Sequence, residues 1–386
     1  MTTVNEFLLI HGWLRLSSKR TSFPRKEKIT KKHINEDLLS KIKSKLLKDE
    51  PVKHDVSGFN NHLEKIGSDT LMSYASNSMS VFNIKDYTVT STTTSKEVIG
   101  IDMNIYNHVA YKGMAIYFGR DMQPIVSMAN KQVARIDAKY PGTRPQSGYA
   151  NTSLSVHTYG DMLYMMTLDY SVVSVDLKKL YALCKSDVAD KKYRPTVVVD
   201  ADPECPNDEF AVCLVNGAIY VANRKSVVRV IPKLRNNPTF NIDEHKQCYA
   251  MAVVRNFVVV AVSKPKSVII LNKFPIEYIF LNQEVSKNQK ILKESIPKLS
   301  KDCNQLFSVP QKITHFDRTY GTVVVSLANF TNLDLILLTA NKSMFLRIDY
   351  RISGNCHWTI LCLPHADKVD AYLGTMSGIY QITWTI

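Results

Sequence analysis

From about residue 68 onward, short apolar runs alternate with polar turns along the chain. In the recurring unit, an apolar run is followed by a polar turn that often ends in Ser, and then by a second apolar run. Runs of this kind, bounded by Asn, Asp, Gly, Ser and Lys, predict β-hairpins. The unit occurs seven times, at 69–84, 113–128, 161–177, 217–231, 256–271, 333–348 and 369–384.

The spacing of these hairpins predicts the architecture. Most intervals between their turns are about 35 to 55 residues, which is the length of one four-stranded propeller blade. A further apolar strand precedes several of the hairpins, at 153–160, 209–216, 248–255 and 357–364. We therefore predict an all-β fold, a seven-bladed β-propeller over residues 53–386.

In the number and spacing of these units, residues 68–386 resemble the β-propeller superfamily, and most of all divergent WD40 repeats. The Gly-His and Trp-Asp signatures of those repeats are nearly missing, and only Trp358 and Trp384 lie within the repeats. The resemblance implies a broad, rigid disc that presents many loops.

The last unit stops at its third strand, so its fourth strand has to come from elsewhere in the chain. The apolar run 6–16, within the N-terminal segment 1–18, is the candidate. We predict that it pairs with residues 379–386, which would leave no exposed sheet edge at the closure.

Residues 19–52 are predicted to hold a basic linker and an amphipathic helix over about 30–50. Ile34, Leu38, Ile42 and Leu46 are spaced four residues apart, and Pro51 ends the pattern. An apolar face opposite a lysine-rich face is typical of a helix that lies across a larger body.

The net charge of +14 is concentrated in this segment. Between residues 19 and 48, eleven Lys or Arg stand against three acidic residues. These cations are candidate contacts to phosphates or to an acidic protein, and the alternative is the solvated face of a packed helix. The candidates are Lys19, Arg20, Arg25, Lys26, Lys28, Lys31, Lys32, Lys41, Lys43 and Lys45.

One interval between hairpins, from about 267 to 343, is longer than the others. It contains the Lys-rich stretch 284–302, which we interpret as an inserted loop with a second set of candidate partner contacts. These are Lys287, Lys290, Lys293 and Lys298.

The common catalytic and cofactor motifs are absent from the sequence, so we predict no enzyme, no catalytic residue, no cofactor and no bound metal. Two groups of residues contain donors of the kind that bind metals. Cys356, His357, Cys362 and His365 are zinc-type donors, but β alternation would put the first two on opposite faces, which favours a strand with buried cysteine.

The second group is the acidic loop 200–209, with Asp200, Asp202, Glu204, Asp208 and Glu209. Its carboxylates suit Ca²⁺, but a solvated loop between blades is the favoured interpretation. The isolated histidines His108, His157, His245 and His315 are interpreted as ordinary strand or loop residues.

These observations predict a non-enzymatic scaffold or structural subunit that binds other proteins of a larger assembly. The alternative is a nucleic-acid-associated protein that binds phosphates through the basic segment. With no apolar run of about 18 residues and no signal sequence, we predict no membrane span and a location in the cytoplasm or nucleus. The Lys, Asn and Ile content adds a viral or other large particle as a further location.

Overall fold

The structure is a computed structural model in which the chain divides into two compact units, Met1–Lys41 and Ile42–Ile386. All residues described below belong to the second unit. The structure describes residues 52–54, 56, 60–75, 77–86, 88–141, 156–213, 217–223, 227–231, 239–241, 248–254, 257–262, 267–272, 312–317, 323–328, 333–338, 343–348, 357–364, 368–375 and 378–385.

The described residues form seven β-sheets, which we number along the chain. Sheet 1 contains β2 (Asn60–Lys65), β3 (Thr70–Ala75), β4 (Ser78–Asn83) and β5 (Val89–Thr94). Sheet 2 contains β6 (Ile105–Tyr111), β7 (Met114–Gly119), β8 (Ile125–Met128), β9 (Lys131–Ile136) and β13 (Lys192–Tyr193). Sheet 3 contains β10 (Val156–Tyr159), β11 (Met162–Met166), β12 (Val172–Asp176) and β14 (Thr196–Val199).

The remaining sheets follow the same plan. Sheet 4 contains β15 (Asn207–Val212), β16 (Ile219–Asn223), β17 (Val227–Ile231) and β18 (Thr239–Asn241), and sheet 5 contains β19 (Cys248–Val254), β20 (Phe257–Val262) and β21 (Ser267–Asn272). Sheet 6 contains β22 (Lys312–Asp317), β23 (Val323–Ala328), β24 (Leu333–Leu338) and β25 (Ser343–Ile348). Sheet 7 contains β26 (His357–Pro364), β27 (Lys368–Thr375), β28 (Gly378–Thr385) and β1 (Val52–His54).

The sheets follow one another around a ring through their first strands. β2 contacts β6, β10 contacts β15, and the contacts continue from β15 to β19, β22 and β26. β26 contacts β2, so sheet 7 lies against sheet 1, while sheets 2 and 3 share one apolar core. Antiparallel sheets that return in this way to their starting point have the arrangement of a β-propeller. The predicted all-β propeller class is confirmed.

Sheet 7 combines strands from the two ends of unit 2. β1 lies at its edge and pairs antiparallel with β28, with Val52 opposite Gln381 and His54 opposite Ile379. A short strand from the start of unit 2 therefore forms the outer edge of the last sheet. The segment that closes it at these positions is Val52–His54, whereas the predicted segment 6–16 lies outside the described residues.

The predicted hairpins match the second and third strands of sheets 1 to 5 and sheet 7, as in β3 and β4. Sheet 6 differs, because the hairpin predicted at 333–348 forms its third and fourth strands, β24 and β25. Its first two strands lie within the long interval between hairpins. The predicted insertion at 284–302 and the helix at 30–50 lie outside the described residues.

Two short helices in the described part of the chain were not predicted. α1 (Ser95–Ile99) begins with a capping box, in which the Thr94 side chain accepts from the Glu97 backbone and the Glu97 side chain accepts from the Thr94 backbone. α2 (Leu177–Lys185) begins at Asp176, whose carboxylate accepts from two backbone N–H groups of the first turn. α2 packs on β9 of sheet 2 as well as on β12 of sheet 3.

Candidate interaction surface

A segment that begins in sheet 3 crosses to sheet 2 and returns, and we call residues 186–199 the crossing segment. After α2 the chain forms β13, which pairs in parallel with β9 of sheet 2, and then β14, which pairs with β12 of sheet 3. The carbonyl of Tyr193 accepts from the backbone N–H of Asp137 at 2.8 Å. The crossing segment therefore joins the outer strands of two sheets.

The turn between β11 and β12 faces the crossing segment, and Asp169 organises it. The Asp169 carboxylate accepts hydrogen bonds from the hydroxyl of Thr167 and from the hydroxyl of Ser171 at 3.3 Å. Partial burial alone would raise the pKa of Asp169, but these hydrogen bonds outweigh it and lower the pKa below its usual value. The backbone N–H of Leu168 donates to the Lys139 carbonyl at 2.8 Å, which ties the turn to sheet 2.

Between this turn, the end of β9 and the crossing segment lies a cleft of about 510 Å³, which we call the inter-sheet cleft. Two aliphatic side chains in its wall are exposed, Leu168 at 42% and Val197 at 53%. Lys139 and Arg194 also line it. In the described part of the chain, neither of these cations is in an ion pair.

The acidic loop 200–209 adjoins this region, and the structure places its carboxylates in two environments. Asp200, Asp202 and Glu204 are exposed, as predicted for a solvated loop. Asp208 and Glu209 belong instead to β15 and are 7% and 1% exposed, so their assignment to a solvated loop is wrong. The reason is that β15, a first strand, lies between sheets 3 and 5 and is buried along its length.

Among the described residues, no three His, Cys, Asp or Glu side chains lie close enough together to hold a metal ion. Of the zinc candidates, Cys356 and His365 lie outside the described residues. His357 and Cys362 fall within β26, which confirms the predicted strand.

His108 is not an ordinary strand residue, because it forms a polar contact between sheets. Its Nδ1 lies within hydrogen-bonding distance of the Glu64 carboxylate, from β2 of sheet 1. The Tyr74 hydroxyl donates to the same carboxylate at 3.3 Å, and the rings of Tyr74 and His108 stack with centroids 5.0 Å apart. We call Glu64, Tyr74, His108 and Tyr117 the sheet 1–2 cluster.

The same cross-strand pair recurs in three successive sheets. A histidine on the first strand lies opposite a tyrosine on the second strand, and the pairs are His62 with Tyr74, His108 with Tyr117, and His157 with Tyr164. This internal repeat is visible in the sequence as a histidine followed, after a turn, by a tyrosine. Each histidine taken singly shows no such pattern, because the repeat lies in the pairing with a tyrosine of the next strand.

His157 and His54 also contact neighbouring sheets. The Nε2 of His157 lies 3.1 Å from the Phe210 carbonyl of sheet 4. His54 of β1 bonds Gln381 and lies against the Phe82 ring of sheet 1, with centroids 4.9 Å apart. Of the other histidines named above, His315 lies in β22 and His245 lies outside the described residues.

The sheet 1–2 cluster predicts a loss of stability in alkaline solution. Burial, and then the Glu64 charge, raise the pKa of Tyr74 above its ordinary value of 10.0, and they raise the pKa of Tyr117 in the same order. The folded protein therefore keeps protons that the unfolded chain releases near pH 10, so stability falls as pH rises above that value. We expect urea unfolding at pH 9 to 11 to show this fall, up to about 1.4 kcal/mol per pH unit for each tyrosine.

The Tyr74→Phe and Tyr117→Phe variants should each flatten this pH dependence, since neither phenyl ring titrates. Tyr181→Phe, at a partly exposed tyrosine of α2, is the control and should keep the wild-type slope. Equal slopes in all four proteins would show that the cluster tyrosines do not carry the effect.

The predicted contacts of the basic segment, from Lys19 to Lys45, lie outside the described residues. So do Lys287, Lys290, Lys293 and Lys298. The site that the structure does show is the inter-sheet cleft, formed by residues from 137–139, 167–173 and 194–197. These segments meet only in the fold, so no motif in the sequence marks the cleft.

The ring of sheets shows the fold class of the protein, a β-propeller, as predicted. No protein-family model matches the chain, and no curated protein matches it. Among the described residues, no helix is both long enough and apolar enough to cross a bilayer.

Solved structures are similar to this chain in fold. A chain of the mitotic checkpoint complex superimposes with a TM-score of 0.54 and 7% identity, over 96% of this chain and 98% of that one. The N-terminal domain of Nup159 gives 0.53 and 8%, over 86% and 90%. The Cps50 (Swd1) β-propeller domain of Myceliophteria thermophila gives 0.50 and 11%, over 87% and 99%. In all, 917 solved chains match, and so widely shared a fold does not specify a function.

Proposed function

We propose that this protein is a non-enzymatic interaction scaffold, a subunit that holds other proteins of a larger assembly. The observation that carries the proposal is the inter-sheet cleft, which is open, preformed by the crossing segment and lined by exposed aliphatic and cationic side chains. A rigid propeller with such a surface suits binding to a partner. The similarity to a chain of the mitotic checkpoint complex agrees with a role in an assembly.

The seven sheets are proposed to be the seven blades of one propeller, closed by β1. In this proposal the basic segment 19–48 and the insertion 284–302 are appendages that contact neighbouring subunits. The location remains the predicted one, in the cytoplasm or nucleus.

The second candidate function, binding of nucleic acid through the basic segment, rests on the eleven cations between residues 19 and 48. It predicts affinity that falls steeply with salt, since each phosphate contact releases counterions. The two functions therefore differ in the salt dependence of binding, which can be measured directly.

The test is purification of the tagged chain from its native cells, with and without residues 1–48. A deletion ending at residue 48 keeps β1, whose loss would disturb sheet 7 as well as remove the basic segment. We expect a protein partner at fixed stoichiometry, measured by native mass spectrometry, that stays bound between 50 and 200 mM salt. Nucleic acid that is lost with residues 1–48, and no protein partner, would contradict the scaffold proposal.

A further inference from the structure

The outer strands of the sheets differ in how their free edges are protected. An exposed edge presents unpaired N–H and C=O groups, and proteins protect such edges with charges, with polar side chains or with a cover. β1 carries Lys53, β5 has the sequence VTSTTT, and β9 is covered by β13. Each of these three strands therefore has a protecting device.

β14 carries no charged residue, and no other described strand covers its free edge. It is the outer strand of sheet 3, its sequence is TVVV, and its described hydrogen-bonding partner is β12 on one side. Val197 is 53% exposed and lines the inter-sheet cleft together with Leu168. An apolar, uncovered edge beside an apolar groove is the surface to which an extended peptide adds as a further strand.

The charges of the cleft indicate which side chains such a peptide carries. The two carboxylates of the cleft accept hydrogen bonds from neighbouring side chains, Asp169 from Thr167 and Ser171 and Asp137 from Gln123 at 2.9 Å. Lys139 and Arg194 form no ion pair with another described residue. These two cations line the same cleft as the exposed side chains of Leu168 and Val197. A ligand that carries both carboxylate and aliphatic groups complements this combination.

We propose that the free edge of β14 and the inter-sheet cleft bind an extended peptide of a partner protein, in which aliphatic side chains alternate with Asp or Glu. The peptide pairs with β14 through its backbone, its aliphatic side chains contact Val197 and Leu168, and its carboxylates pair with Lys139 and Arg194. This inference deepens the proposed scaffold function by naming the chemistry of the partner, and it rests on that function.

The probe is a display library of random ten-residue peptides, selected on the purified full chain. We expect enrichment of sequences that alternate aliphatic and acidic residues, and the enriched peptides are then synthesised for calorimetric titration. Val197→Asp should weaken their binding about tenfold or more, since it removes apolar contact and repels the carboxylates of the peptide. The double variant Lys139→Glu, Arg194→Glu should weaken it by a similar factor.

Two controls separate strand addition from other modes of binding. Val89→Asp makes the same change on β5, where Val89 is 42% exposed, and should leave affinity unchanged. N-methylation at alternate peptide positions should abolish binding, because it removes backbone donors. Val197→Thr, a milder change at the same exposed position, keeps the test available if Val197→Asp unfolds the protein.

The proposal is overturned if no such peptides are enriched, if Val197→Asp and Val197→Thr bind as tightly as wild type, or if N-methylation is tolerated at every position. Purification of the Val197→Asp chain from native cells distinguishes failure of the β14 site from failure of the scaffold function. If this variant keeps its partners but does not bind the peptides, the β14 site is rejected as the place where those partners bind, and the scaffold function is not. A wild-type chain with no partner rejects the scaffold function.

Discussion

Replacing Gly378 with alanine is expected to lower the free energy of unfolding by about 3 kcal/mol or more. Gly378 begins β28 with φ of 145°, a conformation that costs a non-glycine residue about 1 to 3 kcal/mol. A Cβ there would also lie 2.6 Å from the carbonyl oxygen of His54, on the strand that closes sheet 7. The backbone of β1 would have to move, and with it the pairing between the two ends of unit 2.

The matched control is Gly160→Ala, in the hairpin between β10 and β11. Gly160 also has a positive φ, of 58°, but a Cβ there meets no atom within 4 Å. It should cost about 1 kcal/mol, the penalty of the conformation alone. Chemical denaturation gives the free energies, and hydrogen exchange should show faster exchange of Val52–His54 in Gly378→Ala. Equal losses in the two variants would contradict a close approach of β1.

His108→Phe is expected to destabilise the protein by about 2 kcal/mol. The phenyl ring keeps the packing between the rings of Tyr74 and Tyr117, but it cannot donate to Glu64. The partly buried carboxylate then loses one of its two described donors, and leaving such a charged acceptor poorly satisfied is costly.

A double-mutant cycle tests whether the effect is the contact between sheets. In Glu64→Gln, His108→Phe the two losses should be less than additive by about 1 kcal/mol, because Glu64→Gln weakens the same charged contact that His108→Phe removes. His157→Phe is the matched control, since His157 bonds a backbone carbonyl of the next sheet. Its loss should add to that of Glu64→Gln within about 0.5 kcal/mol. Additivity in both cycles would show that Glu64 and His108 are not coupled.

The hairpins of the propeller could be predicted from the sequence because each is local. Alternation and turn residues within about 16 residues suffice for β3 and β4 or for β27 and β28. Contacts that join distant segments leave no such signal. β1 is only three residues long, and nothing in Val52–His54 by itself indicates that it pairs with β28.

The inter-sheet cleft could not be predicted from the sequence for the same reason. Lys139, Leu168 and Val197 are ordinary residues of three separate segments, and their importance lies in their meeting at one cleft. The burial of Glu209 is a related case, since charge alone predicts exposure. Its burial follows from the position of β15 between two other sheets.

The crossing segment affects how the sheets can open locally in the native state. Blades that contact one another only through side chains can open one at a time. Each blade then exchanges its amide hydrogens as a separate cooperative unit. Because β13 belongs to sheet 2 by hydrogen bonding but to sheet 3 by chain order, neither sheet can detach without breaking backbone bonds of the other. We therefore expect sheets 2 and 3, including the edge of β14 proposed to bind a peptide, to open together as one cooperative unit.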